Sequence, residues 1–160
     1  SLVTVFNRLN NIDSSSDVYP TSEYVSSELA EGDQNAAIYL TKQVTLENRA
    51  TSLKVLLAAH RPSTNDIKVM YKILGVDESV DFQDLGFRYF NTDGGPDATV
   101  QPSADINDFQ DYVYTAGVTD EGTGTSLPEF ISFQIKIIMQ GTNTSTPPRI
   151  KDLRVMALAT

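Results

Sequence analysis

FISFQIKIIMQ, at residues 130–140, is the stretch that decides the fold class of this chain. Its apolar side chains recur at every second position, and the positions between them are mostly polar. A period of two is typical of a β-strand, because successive side chains point to opposite faces of a sheet. The strand is the clearest core strand in the chain. Its apolar face consists of Ile131, Phe133, Ile135, Ile137 and Met139, opposite Ser132, Gln134 and Lys136.

The same period predicts three strands upstream. Residues 37–46 alternate as one half-buried strand, and residues 52–61 are apolar on both faces, as in a central buried strand. Residues 66–74 have one apolar face and one face that meets water. Residues 62–65 have a turn composition, so we expect strands 52–61 and 66–74 to form a hairpin. The water-facing set of strand 66–74 is Lys68, Met70 and Lys72.

Three more strands are predicted around the core strand. Residues 86–90 form a weaker strand, and we expect strand 109–115 to pair with strand 130–140 across a glycine-rich connection. Two prolines precede the last strand, at residues 149–159, where they do not disturb a ladder. Its predicted faces are Leu153, Val155 and Ala157 on one side and Ile150, Met156 and Leu158 on the other.

About seven strands at this spacing, with no sustained helical stripe, predict an all-β fold. The expected architecture is an antiparallel β-sandwich of jelly-roll type. Residues 36–160 form the sandwich domain in this interpretation. Residues 1–35 form an N-terminal strand followed by an extended polar arm, which is a candidate for contacts between subunits.

Composition excludes several function classes. The chain of 160 residues has no cysteine and one histidine, His60, which removes thiol chemistry and Cys/His zinc sites. His60 is expected to be a polar residue at a strand end. The sequence shows no nucleophile that it would activate as a catalytic base. No stretch approaches the roughly 20 apolar residues that span a membrane. We therefore expect neither an enzyme nor a membrane protein.

Acidic residues are concentrated in one segment. The formal net charge is −9, and residues 77–121 contain eleven acidic side chains against the single cation Arg88. Such a surface repels phosphate backbones, so the sequence predicts no binding to nucleic acid. A solvated acidic face is the main interpretation, and a bound cation or a basic partner protein is the alternative.

Two kinds of chemistry remain open within the acidic segment. No cofactor is predicted, with one alternative: a calcium ion held by Asn91, Asp93 and Asp97 around a double-glycine turn, because Ca²⁺ prefers oxygen ligands. Paired carboxylates for sugar hydrolysis are a weaker candidate, since nearness in sequence does not fix the separation that the reaction requires. The candidates for that pair are Asp93, Asp97, Asp108 and Asp111.

A carbohydrate site is also considered. Tyr112 and Tyr114 lie two positions apart and therefore share one face of a strand, as an aromatic platform for a sugar ring requires. The chain has no tryptophan, and aromatic residues in strands more often pack in a core.

Several strand motifs carry a resemblance to a known family. Residues 130–137 have the pattern F-x-x-F-x-I-K-I, and a Ser/Thr/Asn linker and prolines lead to I-K-D-L-R-V at residues 150–155. Upstream, T-K-x-V-T-L, L-K-V-L-L-x-A and I-K-V-x-Y-K follow in order between residues 41 and 72. Together these motifs resemble β-sandwich modules of virion structural proteins from contractile-tailed phages, notably cyanophages.

The resemblance implies a structural function and no catalytic one. It implies a structural protein of the virion, in the tail or baseplate, that assembles with copies of itself or with other virion proteins. It carries over no catalytic residues. The alternative function is a module that binds carbohydrate on the host surface, with Tyr112, Tyr114 or the loop at residues 91–97 at the site.

Overall fold

The computed structural model describes residues 37–117, 125–141 and 146–159. The prediction of an all-β fold is confirmed, because two antiparallel sheets pack together as a sandwich. The jelly-roll connectivity stays a prediction, and the predicted arm at residues 1–35 lies outside the described residues. The strands are β1 (Ala37–Leu40), β2 (Val44–Ala50), β3 (Ser52–His60), β4 (Asn65–Gly75), β5 (Arg88–Tyr89), β6 (Gln110–Ala116), β7 (Phe130–Gly141) and β8 (Arg149–Leu158).

The two sheets differ in size. In the larger sheet, β7 lies between β4 on one side and β1 and β2 on the other, and β5 pairs with the outer edge of β4. In the smaller sheet, β3 lies between β6 and β8. From β2 to β8 the chain changes sheet at every connection except the one from β4 to β5.

Two predicted strand pairings are wrong. β3 and β4 do not form a hairpin, because the turn between them carries the chain from the smaller sheet to the larger one. That turn is closed by the Asn65 N–H, which donates to the carbonyl oxygen of Pro62 at 3.0 Å. β6 pairs with β3, not with β7. Alternation predicts which residues share a face, but it does not predict the partner strand.

The core lies between the inner faces of the two sheets. β3 and β7 contribute the fully buried members of the predicted alternating sets, so both central-strand predictions hold for their inner faces. The outer face of β3 is only half-buried. Each large apolar side chain that is fully buried stabilises the fold by roughly 1.5–3 kcal/mol. The buried set from these strands is Leu53, Val55, Leu57 and Ala59 with Phe133, Ile135 and Ile137.

The predicted strand at residues 37–46 is divided in two. The Thr41 N–H donates to the carbonyl oxygen of Ile135, and the Thr41 hydroxyl accepts from the Ile135 N–H, both at 3.0 Å. A side chain therefore replaces a backbone group in the ladder, and β1 and β2 pair separately with β7. The weak strand at residues 86–90 is reduced to the two residues of β5.

A bulge changes the faces of β8. Asp152 has a φ angle of 56°, and the register with β3 shifts between Leu56 and Ala58. One extra residue reverses the alternation, as β-bulges do. Consequently Ile150 and Leu153 both pack against the core, and the prediction that they lie on opposite faces is wrong.

The outer face of β4 and β7 is also covered. Met70 and Ile138 pack with Phe87 in a second small cluster, and Lys72 is 4% exposed. The prediction that Met70 and Lys72 face water is therefore wrong. The ring that covers this face is that of Phe87, in the segment after β4. The sequence pattern of β4 itself therefore does not predict that its outer face is covered.

Candidate functional site

The predicted calcium loop, at residues 91–97, lies along the outer edge of β6. The Asp97 N–H donates to the carbonyl oxygen of Val113 at 2.7 Å. In return, the N–H and the hydroxyl of Thr115 donate to the Asp97 carboxylate at 3.1 and 2.9 Å. The loop thus occupies backbone groups that an edge strand otherwise leaves unpaired.

The same loop contacts β4 in the larger sheet. The Val69 N–H donates to the carbonyl oxygen of Gly94 at 3.0 Å, and Lys68 Nζ donates to that of Asp93 at 2.9 Å. Gly94 has a φ angle of 76°, and a Cβ there would lie 2.9 Å from Cδ1 of Tyr89. Glycine is therefore required at this position. We call this region, where residues 91–97 join β4 to β6, the closed side.

Hydrogen bonds within the protein engage the three predicted calcium ligands. Asn91 Nδ2 donates to Asp97 Oδ1 at 2.8 Å and to the carbonyl oxygen of Gly95 at 3.0 Å. Asp93 Oδ1 accepts from the Gly95 N–H at 2.8 Å. Among the described residues, no group of three or more His, Cys, Asp or Glu side chains is placed to hold a metal. The contacts give the three side chains a structural role, and the calcium ion stays a prediction.

The remaining carboxylate candidates are not brought to one site by any described contact. Asp108 Oδ2 accepts from Gln110 Nε2 at 3.0 Å, two residues along the chain. Asp111 is exposed on β6 and pairs in register with Ala58. The single histidine, His60, is 3% exposed and lies 6.3 Å from the Phe109 ring, as measured between ring centroids.

Tyr112 and Tyr114 lie in the core. Their side chains are 3% and 0% exposed, so the face that they share is the inner one. The Tyr112 hydroxyl accepts from Arg61 Nε at 3.2 Å, and the Tyr114 ring packs 5.9 Å from that of Phe90. Burial raises the pKa of the Tyr114 hydroxyl well above its ordinary value. Neither ring offers an exposed surface on which a sugar could stack.

On the side opposite the closed side, β1 and β8 flank an apolar groove of about 420 Å³. Tyr39 on β1 is 51% exposed, and Lys151 and Asp152 of β8 are exposed beside the groove, with the Lys151 Nζ 4.2 Å from the centroid of the Phe109 ring. We call this region the open side. Its apolar lining is Tyr39, Ile137, Met139, Pro148, Ile150 and Leu153.

A second exposed apolar residue lies within an acidic loop. Val80 is 44% exposed, and the acidic side chains nearest to it in sequence, Glu78 and Asp81, are exposed as well. The Glu78 carboxylate accepts from the N–H groups of Ser79 and Val80, both at 3.0 Å. These bonds fix the loop and leave the Val80 side chain presented to solvent. We call residues 77–84 the acidic loop.

A third feature is a cavity of about 660 Å³ at one end of the sandwich. It lies where the β3–β4 turn, residues 102–106 and the start of β8 meet, and we call it the end pocket. The Arg149 guanidinium lies 5.4 Å from the Phe109 ring, and its Nη1 donates to the carbonyl oxygen of Ile106 at 3.4 Å. The lining combines three prolines with the hydroxyl groups of Ser63, Thr64, Ser103 and Thr146.

The sequence did not predict the open side or the end pocket. Both are assembled from residues that are distant in the chain, so no local motif marks them. One signal was present for the acidic loop: Val80 is an apolar residue between acidic neighbours, at a place where no strand is predicted.

No protein-family model, curated protein or solved structure matches this chain. In the described part of the chain, no helix is long and apolar enough to cross a membrane.

Proposed function

We propose that this domain is a non-enzymatic structural component of a phage virion, in the tail or baseplate, and that it works by self-association. The strand motifs at residues 41–72 and 130–155 support the virion assignment, since they resemble such modules. The observation that carries the assembly role is the open side. An apolar groove beside an exposed tyrosine is typical of a surface that another protein covers.

The occupant that we propose for the groove is the acidic loop of a second copy. Val80 supplies an exposed apolar side chain of a size that enters an apolar groove, and the groove supplies Ile150 and Leu153 as its lining. Charges agree with this pairing. β8 carries three exposed cations and one acidic residue, whereas every charged residue of the acidic loop is acidic. The exposed cations are Arg149, Lys151 and Arg154.

The two proposed surfaces are different parts of one molecule. A contact between unlike surfaces is heterologous, so it generates closed rings or helical filaments. Either assembly suits a repeated structural component, and at the ends of a filament other virion proteins would attach to the same surfaces.

Sedimentation velocity at low salt tests the proposal. We expect a mass that rises with protein concentration, and we expect Val80→Asp to give a monomer because it places a charge in an apolar groove. Ile106→Ser is the matched control, since Ile106 is also exposed but lies at the end pocket. A wild-type chain that stays monomeric throughout would contradict the proposal.

A charge exchange sharpens the experiment. Lys151→Glu beside the groove and Asp81→Lys in the acidic loop should each weaken association. A mixture of the two variants should then associate, because the unmutated loop of the first fits the unmutated groove of the second, and the mutated loop and groove carry opposite charges. If the mixture behaves as its separate components do, the acidic loop is not the occupant.

Carbohydrate binding is a second candidate function, favoured by the end pocket. Its volume is within the range of about 300–1,000 Å³ that is typical of small-ligand sites. Prolines offer apolar surface to sugar C–H groups, and the hydroxyl groups and Arg149 offer hydrogen bonds. Glycan-array binding that Ser103→Val and Arg149→Met both abolish would support this function. An array without signal would remove it.

A further inference from the structure

Two basic side chains lie next to each other in the wall of the end pocket. His60 on β3 and Arg149 on β8 are directly opposite in the register of the two strands, so their side chains share one face of the smaller sheet. This is the outer face, because the preceding residue of β3, Ala59, packs in the core. Both side chains line the pocket. The fold therefore places an imidazole and a guanidinium side by side at one cavity.

The Arg149 guanidinium can bind a ligand in the pocket. Its side chain is exposed, and the hydrogen bond that it donates to the carbonyl oxygen of Ile106 is long, at 3.4 Å. A guanidinium has several N–H donors in a planar fork, so one long bond leaves most of them for an acceptor that enters the pocket. Lys151 adds positive charge nearby, since its Nζ lies 4.2 Å from the Phe109 ring that Arg149 also contacts.

His60 is buried and has a nitrogen atom without a hydrogen bond. The residue is 3% exposed, and its Nδ1 forms no hydrogen bond with any residue that the structure describes. Nearly all buried polar atoms in folded proteins have a partner, so a bare ring nitrogen in the wall of a cavity indicates a place for a ligand group. The χ2 torsion of histidine is broad, which allows the ring to turn a nitrogen toward such a group.

The acidic residues near the pocket do not neutralise this charge. Asp105 Oδ1 accepts a backbone N–H two residues later at 2.9 Å, and Asp108 Oδ2 accepts a side-chain amide two residues later at 3.0 Å. Asp111 is exposed on β6 and pairs with Ala58, one row away from His60. Among the described residues, none of these three carboxylates lines the pocket. The wall is therefore positive, although the chain as a whole carries a net charge of −9.

The rest of the wall suits a sugar ring. The Ser103 Oγ accepts the N–H of Asp105 at 3.2 Å, and its O–H can still donate to a ligand. Ser63 and Thr146 are exposed and add two more hydroxyl groups to the lining. Apolar surface between these polar groups comes from Pro62, Pro102 and Pro147.

We propose that the end pocket binds a sugar that carries a carboxylate, such as a uronate residue. The proposal rests on carbohydrate binding, the second candidate function, and it names the class of sugar. The fork of Arg149 matches the two oxygens of a carboxylate, and the His60 ring supplies a further hydrogen bond. The hydroxyl groups of the wall then bind those of the sugar. A neutral sugar would form none of the charge-assisted bonds.

Calorimetric titration of the full chain with methyl glycosides tests the proposal. The probes are the methyl glycosides of glucuronate and galacturonate, each compared with its neutral parent sugar. We expect at least one uronide to bind at least about tenfold more tightly than its parent, because it forms charge-assisted hydrogen bonds. Equal binding of both uronides and their parents would overturn this inference and leave carbohydrate binding in place. No binding by any of these glycosides would remove both.

Acetate separates a sugar site from a site for any carboxylate. It has the charged group without the ring, so it should bind at least about tenfold more weakly than the better uronide. If acetate binds as tightly as the uronide, the sugar contributes nothing and the proposal is wrong.

Arg149→Gln identifies the group that binds the carboxylate. We expect it to weaken uronide binding at least about tenfold and to leave the affinity for the neutral parent nearly unchanged. Arg49→Gln is the matched control, because Arg49 is an exposed arginine on β2, in the other sheet. An equal loss in both variants would mean that only the overall charge attracts the uronide, and this would contradict the proposal.

Nuclear magnetic resonance tests the part of His60 without a substitution at a buried position. The chain has one histidine, so the ring nitrogens of His60 give signals that need no further assignment. We expect these signals to shift as the uronide is added, with the same dissociation constant as in calorimetry. Signals that stay unchanged at saturating uronide would contradict the proposal.

Discussion

The closed and open sides of the sandwich differ in how the edges of the two sheets are covered. On the closed side, residues 91–97 contact β4 and β6 by backbone hydrogen bonds and by the Asp97 carboxylate. On the open side, no described residue bridges β1 and β8 in this way, and an apolar groove with the half-exposed Tyr39 is left between them. Sheet edges that stay exposed in monomers are usually covered, charged or bent.

The difference indicates that the closed side contributes to the stability of the fold and that the open side contributes to association. Contacts on the closed side are made within one chain, so their loss should appear as a lower free energy of unfolding. Contacts proposed for the open side are made between chains, so their loss should appear in the mass of the assembly. Four predictions separate these two kinds of effect.

The largest effect on stability is expected from Asp97→Ala. This change removes the acceptor for Asn91 Nδ2 and for both donors of Thr115, and it frees the loop from the edge of β6. We expect the free energy of unfolding to fall by about 2–3 kcal/mol, as for several bonds to an exposed charged group. Urea unfolding measures it. Asp111 is another exposed acidic residue, and it lies on β6 itself. Asp111→Ala should change the free energy of unfolding by less than about 0.5 kcal/mol.

Gly94→Ala should have the next largest effect. A Cβ at a φ angle of 76° is strained, and it would lie 3.0 Å from the Lys68 Cβ as well as close to Tyr89. We expect a loss of about 1–2 kcal/mol. Gly95→Ala is the matched control, because its φ angle is not in the left-handed region and its Cβ would meet the side chain of Asp93, two residues earlier, at 3.1 Å. Equal losses in both variants would mean that the φ angle of Gly94 is unimportant.

On the open side, Tyr39→Ser should leave the unfolding free energy nearly unchanged. A half-exposed side chain at an edge contributes little to folding, and we expect a change below about 0.5 kcal/mol. The same variant should lose self-association in sedimentation, since the groove loses its largest exposed apolar side chain. A variant that unfolds readily but still associates would reverse the roles assigned to the two sides.

The smallest effect on folding is expected from a change in salt concentration, which should weaken self-association on the open side but not the contacts of the closed side. Raising the salt concentration from about 0.05 to about 0.5 M shortens the screening length severalfold, so the contact between β8 and the acidic loop should weaken. The difference in unfolding free energy between wild type and Gly94→Ala should stay constant, because it arises from backbone strain. Dilution series at both salt concentrations provide the measurement.

The positions of most strands, and the inner faces of β3 and β7, were predictable from the sequence because they depend on local alternation. β3, β4 and β7 lie where the pattern predicts them, and Tyr112 and Tyr114 do share a face. Strand partners were not predictable, since any alternating strand fits beside any other. The same limit hid the burial of Lys136, because its cover includes the Phe87 ring, which lies far earlier in the chain.

The candidate sites were less predictable than the fold. Asn91, Asp93 and Asp97 have the composition of a calcium loop, but oxygen-rich side chains also make the turn hydrogen bonds that close a sheet edge. The end pocket and the groove each combine residues from three or more chain segments. Only the folded topology brings such residues together.

The repeated change of sheet along the chain has a kinetic consequence. β3 finds its neighbours far along the chain, and the Ser52 hydroxyl donates to the carbonyl oxygen of Leu158 across 106 positions. A high contact order of this kind slows folding, to milliseconds or seconds in comparable β-proteins. Because the chain changes layer at most connections from β2 to β8, the two layers are completed only when β7 and β8 are in place. We therefore expect the two layers to appear in a single kinetic phase, with no stable half-formed intermediate.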